Sequence, residues 1–301
     1  MLAKPLIITL TVASICGLAL ANIAFAEPQG TFRFIQANLT QVDLSEDNDD
    51  TLKAQILANG LQKRLEDIAA ALQITGNLPS VRTTPSAALL NSTLETLHGI
   101  PEDSDMPKRS VAQDIVSNFQ DLQVVFFLMP NGDIYLDQPY SRQQNLTDNN
   151  FGFRDYFKGA TDTHSTFLGN AIISASTQKK IIVIAVPLYH PKNQSLIGVW
   201  AAGIGLEAFN EELQSLDLGD KNQRVIILDS NGTKIADSNK QLLYSNAESF
   251  NQFESFQNAI GGKSGSMIEQ VNQTQIRVSY VPIKSLQNTL TILWMRTITN
   301  N

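Results

Sequence analysis

The chain has 301 residues, 43% of them hydrophobic, with 22 Lys and Arg against 29 Asp and Glu for a net charge of −7. An acidic chain without a Lys/Arg cluster repels a phosphate backbone, which excludes nucleic acid as a natural partner. The single cysteine, Cys16, falls inside the leader at the N-terminus, so the remainder has no disulfide or thiol chemistry and must be stabilised by packed apolar cores.

One lysine, Lys4, precedes an uncharged, mostly apolar stretch that ends at Ala24-Phe25-Ala26. That order is a secretory leader, with cleavage expected before Glu27. The run from Pro5 to Ala26 is also long enough to cross a hydrocarbon core of ~30 Å as a helix. Residues 1–26 therefore read as a signal peptide or a membrane anchor, and either one places the remainder outside the cytoplasm. Ile15, where lipidation of Cys16 needs a small residue, argues against a lipoprotein. Asn-x-Ser/Thr sites at Asn38, Asn91, Asn145, Asn193, Asn231 and Asn272 permit glycosylation without indicating it.

Residues 45–108 form the next segment. After the acidic SEDNDD (45–50), the positions Leu57, Leu61, Leu65, Ile68 and Leu72 recur at three- and four-residue steps over 51–73. This spacing predicts a long amphipathic helix, a spine for later domains and a candidate surface for homodimer formation. Four prolines between 76 and 108 predict a mostly irregular connection, with a short helix near 87–97. A helix at 109–121 follows, then strands at 124–129 and 133–138 and a loop carrying Tyr140 and Arg142. Next come a helix near 153–160, strands at 166–175, 180–188 and 196–204, and a linking helix at 206–217. The rest reads as strands at 223–229 and 233–236, a helix at 248–260, and strands at 265–270, 275–282 and 289–297.

The second half of that pattern echoes the first. VVFFLMPNGDIYLD (124–137) returns as RVIILDSNGTKIAD (224–237), each cut by Asn-Gly, the signature of a tight hairpin. Phe157 and Ala160 match Phe256 and Ala259, KIIVIAVPL (180–188) matches QIRVSYVPI (275–283), and Trp200 matches Trp294. One plan used twice, over 109–218 and 219–301, is the simplest account. The predicted fold class is α+β: a long N-terminal helix plus two tandem PAS-like modules, each an antiparallel sheet flanked by helices.

FGFRDYFKGA (151–160), TQKKIIVIAVPL (177–188), LIGVWAAGIGLEAF (196–209) and VIILDSNGTKIADS (225–238) resemble the double-Cache sensor family. The resemblance covers most of 50–297. It implies an extracytoplasmic ligand-binding region of a chemoreceptor, histidine kinase or related protein, non-enzymatic, with a small molecule held in the membrane-distal first module. The family's Arg-x-aromatic-aromatic signature falls on Arg154, Tyr156 and Phe157, where an arginine grips a carboxylate and aromatic rings wall the pocket. The acidic and tyrosine groups that receive an amino acid's ammonium in that family fall on Asn149, Ile172, Ser174 and Gly203 here, so the resemblance favours a small carboxylate or another compact anion. Ser174, Ser176 and Thr177 are expected to donate hydrogen bonds to it, with Tyr140 and Arg142 beside the cleft. Signalling would pass through a membrane partner; no metal or cofactor is implied. The alternative is a structural or adhesive surface protein with ligand-dead modules.

A more remote alternative rests on Gly203-x-Gly205-x-x-Ala208 and Asp229, the outline of a dinucleotide-binding βαβ unit and hence of an oxidoreductase. Hydrolase chemistry has less support, because His98, His164 and His190 stand in turns and the chain has neither HExxH nor GxSxG.

Overall fold

The structure is a computed structural model. It describes residues 49–216, 218, 222–242, 248–271 and 274–298 in full, with backbone alone for parts of the N-terminal region. By contacts the chain divides into residues 1–49 and 50–301. In the first unit β1 (Ser14–Ile15) pairs with β2 (Leu18–Ala19), and β3 (Asn22–Ala26) with β4 (Phe32–Gln36). The leader expected over 1–26 otherwise lies outside the described residues. Among the described residues no helix is long and apolar enough to cross a membrane.

Helix α1 (Glu46–Gly76) runs 31 residues, and its Leu57, Leu61, Leu65, Ile68 and Leu72 are all buried. The predicted 3.6-residue stripe is thus the core face, while i,i+4 pairs such as Lys63–Asp67 at 2.8 Å occupy the wet side. The connection after it is more helical than its prolines suggested: α2 (Pro79–Arg82), α3 (Ala87–Leu97) and α4 (Met106–Asn118). Pro79 and Pro107 stand in first turns, where a missing N–H removes no helical bond.

The first sheet is built from β5 (Leu122–Leu128), β6 (Ile134–Gln138), β7 (Phe167–Leu168), β8 (Ile172–Ile173), β9 (Lys180–Tyr189) and β10 (Leu196–Gly205), in the order β6-β5-β10-β9-β7 with β8 also on β9. Helices α5 (Tyr140–Gln144) and α6 (Asp155–Thr163) are inserted before β7, and α7 (Leu206–Ser215) leads out. The second sheet has β11 (Gln223–Leu228), β12 (Lys234–Asp237), β13 (Gly265–Val271), β14 (Thr274–Ser285) and β15 (Asn288–Thr297), in the order β12-β11-β15-β14-β13, with α8 (Glu254–Ile260) between β12 and β13. Both sheets therefore follow the same permutation of sequence order, which makes the echo a duplication of fold. All described pairings are antiparallel, which overturns the βαβ reading: Gly203 is a strand residue, and Asp229 accepts backbone N–H groups from Asn231 and Thr233 within its own hairpin.

Three predicted elements change. The strand expected at 166–175 breaks into β7 and β8 because carboxylates take its backbone donors: Asn170 N–H donates to Asp155 at 2.7 Å and Ala171 N–H to Asp229 at 2.9 Å. The loop at Tyr140 is the short helix α5. Helix α8 starts at Glu254 rather than 248, since Glu248 is held by Arg224 and Phe250 is buried in the core ahead of it.

Period-two alternation decides what each sheet face meets. In the first sheet Val125, Phe127, Ile182, Ile184, Trp200 and Ala202 belong to the core that also contains the α1 stripe, and the Trp200 indole donates to Thr75 of α1 at 3.1 Å. The alternate residues, Val124, Phe126, Ile181, Val183, Val199 and Ala201, cluster with Tyr156, Phe157 and Ala160 of α6. The spine and the α6 layer thus cover opposite faces, and the candidate site lies in the α6 layer.

Candidate functional site

Between α6, α5 and the first sheet lies a narrow cleft with a cavity volume of about 40 Å³. Its apolar wall comes from Val124, Phe126 and Ile134 on β5 and β6, Phe151 before α6, and Ile181 and Val183 on β9. Its polar groups are Asp137 at the end of β6, Arg142 on α5, Arg154 at the N-cap of α6, Tyr156, and Ser174 and Ser176 after β8. An apolar slot with a few convergent charges is the usual build of a small-molecule site.

The arginines are partly committed. Arg142 donates to Ser174 Oγ at 3.1 Å and to Gln123 Oε1 at 3.3 Å, while its buried Nε has no partner. Arg154 donates to the Ile173 carbonyl at 3.4 Å and lies 4.9 Å from the Phe153 ring centroid, and its Nε is likewise buried and unpartnered. Burial lowers the pKa of Arg142, with Asp137 opposing the shift, but a guanidinium stays charged. Two guanidiniums with unused donors beside an apolar wall are the chemistry with which proteins hold carboxylates and other anions.

Asp137 is the group the sequence reading assigned only to the end of a hairpin. It is 4% exposed and lines the cleft, and burial pushes its carboxyl up to about 7 against the pull of Arg142 and Arg109. Its backbone is clamped: its N–H donates to Gln143 Oε1 at 3.2 Å and its carbonyl accepts from Arg109 Nη1 at 3.1 Å. The carboxylate has no hydrogen bond or ion pair among the described residues. The positions Asn149, Ile172, Ser174 and Gly203 carry no acid, and Asp137 is an acidic group of the cleft outside them.

Arg142, Arg154, Tyr156, Ser174 and Ser176 are brought together in the cleft. The other three are placed elsewhere. Phe157 packs into the α6–sheet core, 8% exposed, on the same helix face as the buried Ala160 three residues on. Tyr140 lies under the Arg109 guanidinium, 5.1 Å from ring centroid to Cζ. Thr177 donates its backbone N–H to Ser174 Oγ at 3.4 Å and does not line the cavity.

In the matching region of the second module the carboxylate is taken by ion pairs, beside a cavity of about 300 Å³ lined by Arg224, Glu248, Phe250 and Phe253. Asp237 accepts from Arg224 at 2.6 Å and from Lys234 at 3.3 Å, and both cations also bind Glu248. With α8 capped by Phe253, the residue matching Arg154 is Phe253. Among the described residues no group of His, Cys, Asp and Glu side chains is placed to hold a metal ion.

A duplicated antiparallel module with a cleft of this chemistry defines a PAS-like ligand-binding class of protein. The sequence profile of the Cache domain matches residues 36–298, so the chain belongs to the Cache domain family, whose members are extracellular ligand-binding sensor domains. Solved structures share the fold. The ligand-binding domain of the Pseudomonas fluorescens chemoreceptor CtaA, in complex with L-isoleucine, matches with a TM-score of 0.57 at 16% identity over 83% of this chain and 92% of that one. The ligand-binding domain of the Pseudomonas aeruginosa PAO1 amino acid chemoreceptor PctC, in complex with GABA, matches with a TM-score of 0.55 at 16% identity over 84% and 100%. That of the Campylobacter jejuni chemoreceptor Tlp3, in complex with 4-methylisoleucine, gives 0.53 at 16% over 87% and 95%. None of the curated proteins matches the chain in sequence.

Proposed function

We propose that the chain is an extracytoplasmic sensor module that captures a small carboxylate in the cleft of its first module. The observation that carries this reading is the pair Arg142 and Arg154, each with a buried, unpartnered Nε in a cleft whose remaining wall is largely apolar. Ser174 and Ser176 supply further hydroxyls to the anion. The ligands named for the compared chemoreceptor domains, L-isoleucine, 4-methylisoleucine and GABA, all carry a carboxylate, which favours the same ligand class.

A route for the signal is supported by the segment that forms one cleft wall. Ile172, Ile173 and Ser174 line the cleft, while the adjacent Ala171 N–H donates to Asp229 of the second module at 2.9 Å. Asn170 Oδ1 accepts from Ser230 at 2.7 Å and from Asn288 at 3.3 Å. Ligand that shifts this wall biases the second module through those bonds, and binding can only shift states it distinguishes. Output through a membrane partner and pairing of two chains along α1 belong to the same reading; exposed Leu52 and Ile56, one helical turn apart, favour the pairing.

Thermal-shift screening of the full chain against carboxylates, amino acids, amines and purines tests the reading. A ligand at about 100 times its Kd adds ~2.7 kcal/mol, and Arg154→Ala is expected to remove the shift given by carboxylates. Silence from every carboxylate would favour the structural or adhesive alternative.

A further inference from the structure

We propose that the first-module cleft takes up its small carboxylate together with one proton, shared between the ligand and Asp137, so that the module reads pH and ligand jointly; this rests on the cleft being the carboxylate site. The inference comes from comparing the two copies of the fold. In copy two the equivalent Asp237 is fully buried and paired with Arg224 and Lys234. The residues one hundred positions earlier are Val124 and Ile134, and both line the cleft. Copy one therefore keeps the carboxylate without the two cations that hold its counterpart, and places it in the same cavity of about 40 Å³ as Arg142 and Arg154.

Among the described residues, none of the charged groups around Asp137 bonds its carboxylate. On α4, Arg109 spends its guanidinium on the carbonyls of Ser104, Ile100, Pro101 and Asp137 and on Gln143 Oε1. On α5, Arg142 donates to Gln123 and Ser174, and Tyr140 lies under Arg109. On α6, Arg154 donates to the Ile173 carbonyl, Asp155 accepts from the Asn170 N–H, and burial pushes the Tyr156 phenol up so that it stays neutral. The sheet wall is apolar, and no histidine is among the described residues that line the cleft. A ligand carboxylate held by Arg142 and Arg154 in so small a cavity lies against Asp137. Two carboxylates in contact do not both ionise; they share one proton in a charge-assisted bond, and that proton belongs to the pair. Burial already pushes the Asp137 carboxyl up to about 7 in the empty cleft, and a bound anion moves it further the same way. Below about pH 7 the proton is therefore in place before the ligand arrives. Above it the proton must come from solvent, and affinity falls as pH rises.

Calorimetric titration of the full chain with acetate, propionate and butyrate tests the shared proton. For whichever of the three binds best, affinity is expected to be about tenfold weaker at about pH 8 than at about pH 6. Heats measured at the higher pH in Tris and in HEPES, buffers that differ in heat of ionisation, count the protons taken up, and most of one proton per ligand is expected. Asp137→Asn keeps the shape and offers an N–H where the shared proton would be. It is expected to abolish both the proton uptake and the pH dependence. Affinity that stays flat between the two pH values, proton release in place of uptake, or a pH dependence that survives Asp137→Asn overturns the shared proton. Binding that is lost in Arg154→Ala upholds the carboxylate site even then. Silence of all three carboxylates, in the wild type and in Asp137→Asn alike, overturns both.

Discussion

Replacing Arg109 by alanine is expected to lower the unfolding free energy by about 2–4 kcal/mol, since buried carbonyls lose hydrogen bonds from a charged donor. Arg109 on α4 is 3% exposed, and its guanidinium ties the chain after α3 to the end of β6 by bonds to the carbonyls of Ile100 at 3.0 Å, Pro101 at 3.1 Å and Asp137 at 3.1 Å. It also holds Gln143 Oε1 at 3.0 Å, whose amide in turn donates to the Leu97 and Ile100 carbonyls. Truncation takes this donor from the Pro101 and Asp137 carbonyls, while the Ile100 carbonyl keeps the Gln143 amide and Gln143 Oε1 keeps the Asp137 N–H; each group left unsatisfied costs ~1–3 kcal/mol. Lysine is a poor replacement, because a single ammonium cannot span carbonyls that a planar fork reaches from several sides. Urea unfolding measures the loss as a lowered midpoint with unchanged slope. A change under ~1 kcal/mol would mean that the network does not hold the α4–β6 junction. The same substitution frees the backbone of Asp137, so ligand affinity is expected to fall with stability.

Asp137→Asn is expected to act in the opposite direction on the unliganded protein. The folded carboxyl titrates near 7, above its ordinary 3.8, because burial disfavours its charged form. Between those values the folded state binds the extra proton, so this group makes the wild type progressively less stable as pH rises from about 4 to 7, and the effect levels off above. A rise of that size corresponds to about 4 kcal/mol as a ceiling. Asparagine carries no charge at any pH, so the variant loses this slope and is more stable than the wild type above pH 7. Unfolding midpoints at intervals from pH 4 to 8 measure it. Parallel profiles for the two proteins would show that Asp137 is already compensated within the empty cleft.

Much of the fold was legible because its signals are local and repeated. The stripe from Leu57 to Leu72 has one periodicity, the two Asn-Gly hairpins mark the first strand pair of each module, and Trp200 and Trp294 stand in matching central strands β10 and β15. What was not legible depends on distant partners. The break between β7 and β8 requires Asp155 and Asp229 to capture the N–H groups of Asn170 and Ala171, and Asp229 lies 58 residues further along the chain.

The site was half legible. Arg154 and Tyr156 could be placed from one motif, since both sit at the start of one helix. Asp137 could not be placed from that motif, because it reaches the cleft from β6. A signal for it was nevertheless present in the echo: the aspartates at 137 and 237 match, but the cations at 224 and 234 have no counterparts at 124 and 134. Phe157 matched its family pattern and still faces the core, because a motif fixes a residue type and the helix phase fixes its direction.

The central claim is that the first copy binds and the second copy supports it. Isothermal titration of the full chain with the small carboxylate that stabilises it most tests this directly. One site per chain is predicted, with affinity falling about 10- to 100-fold in Arg154→Ala, the range expected when charged hydrogen bonds are lost. Two sites per chain, or an affinity unchanged by Arg154→Ala, would contradict it.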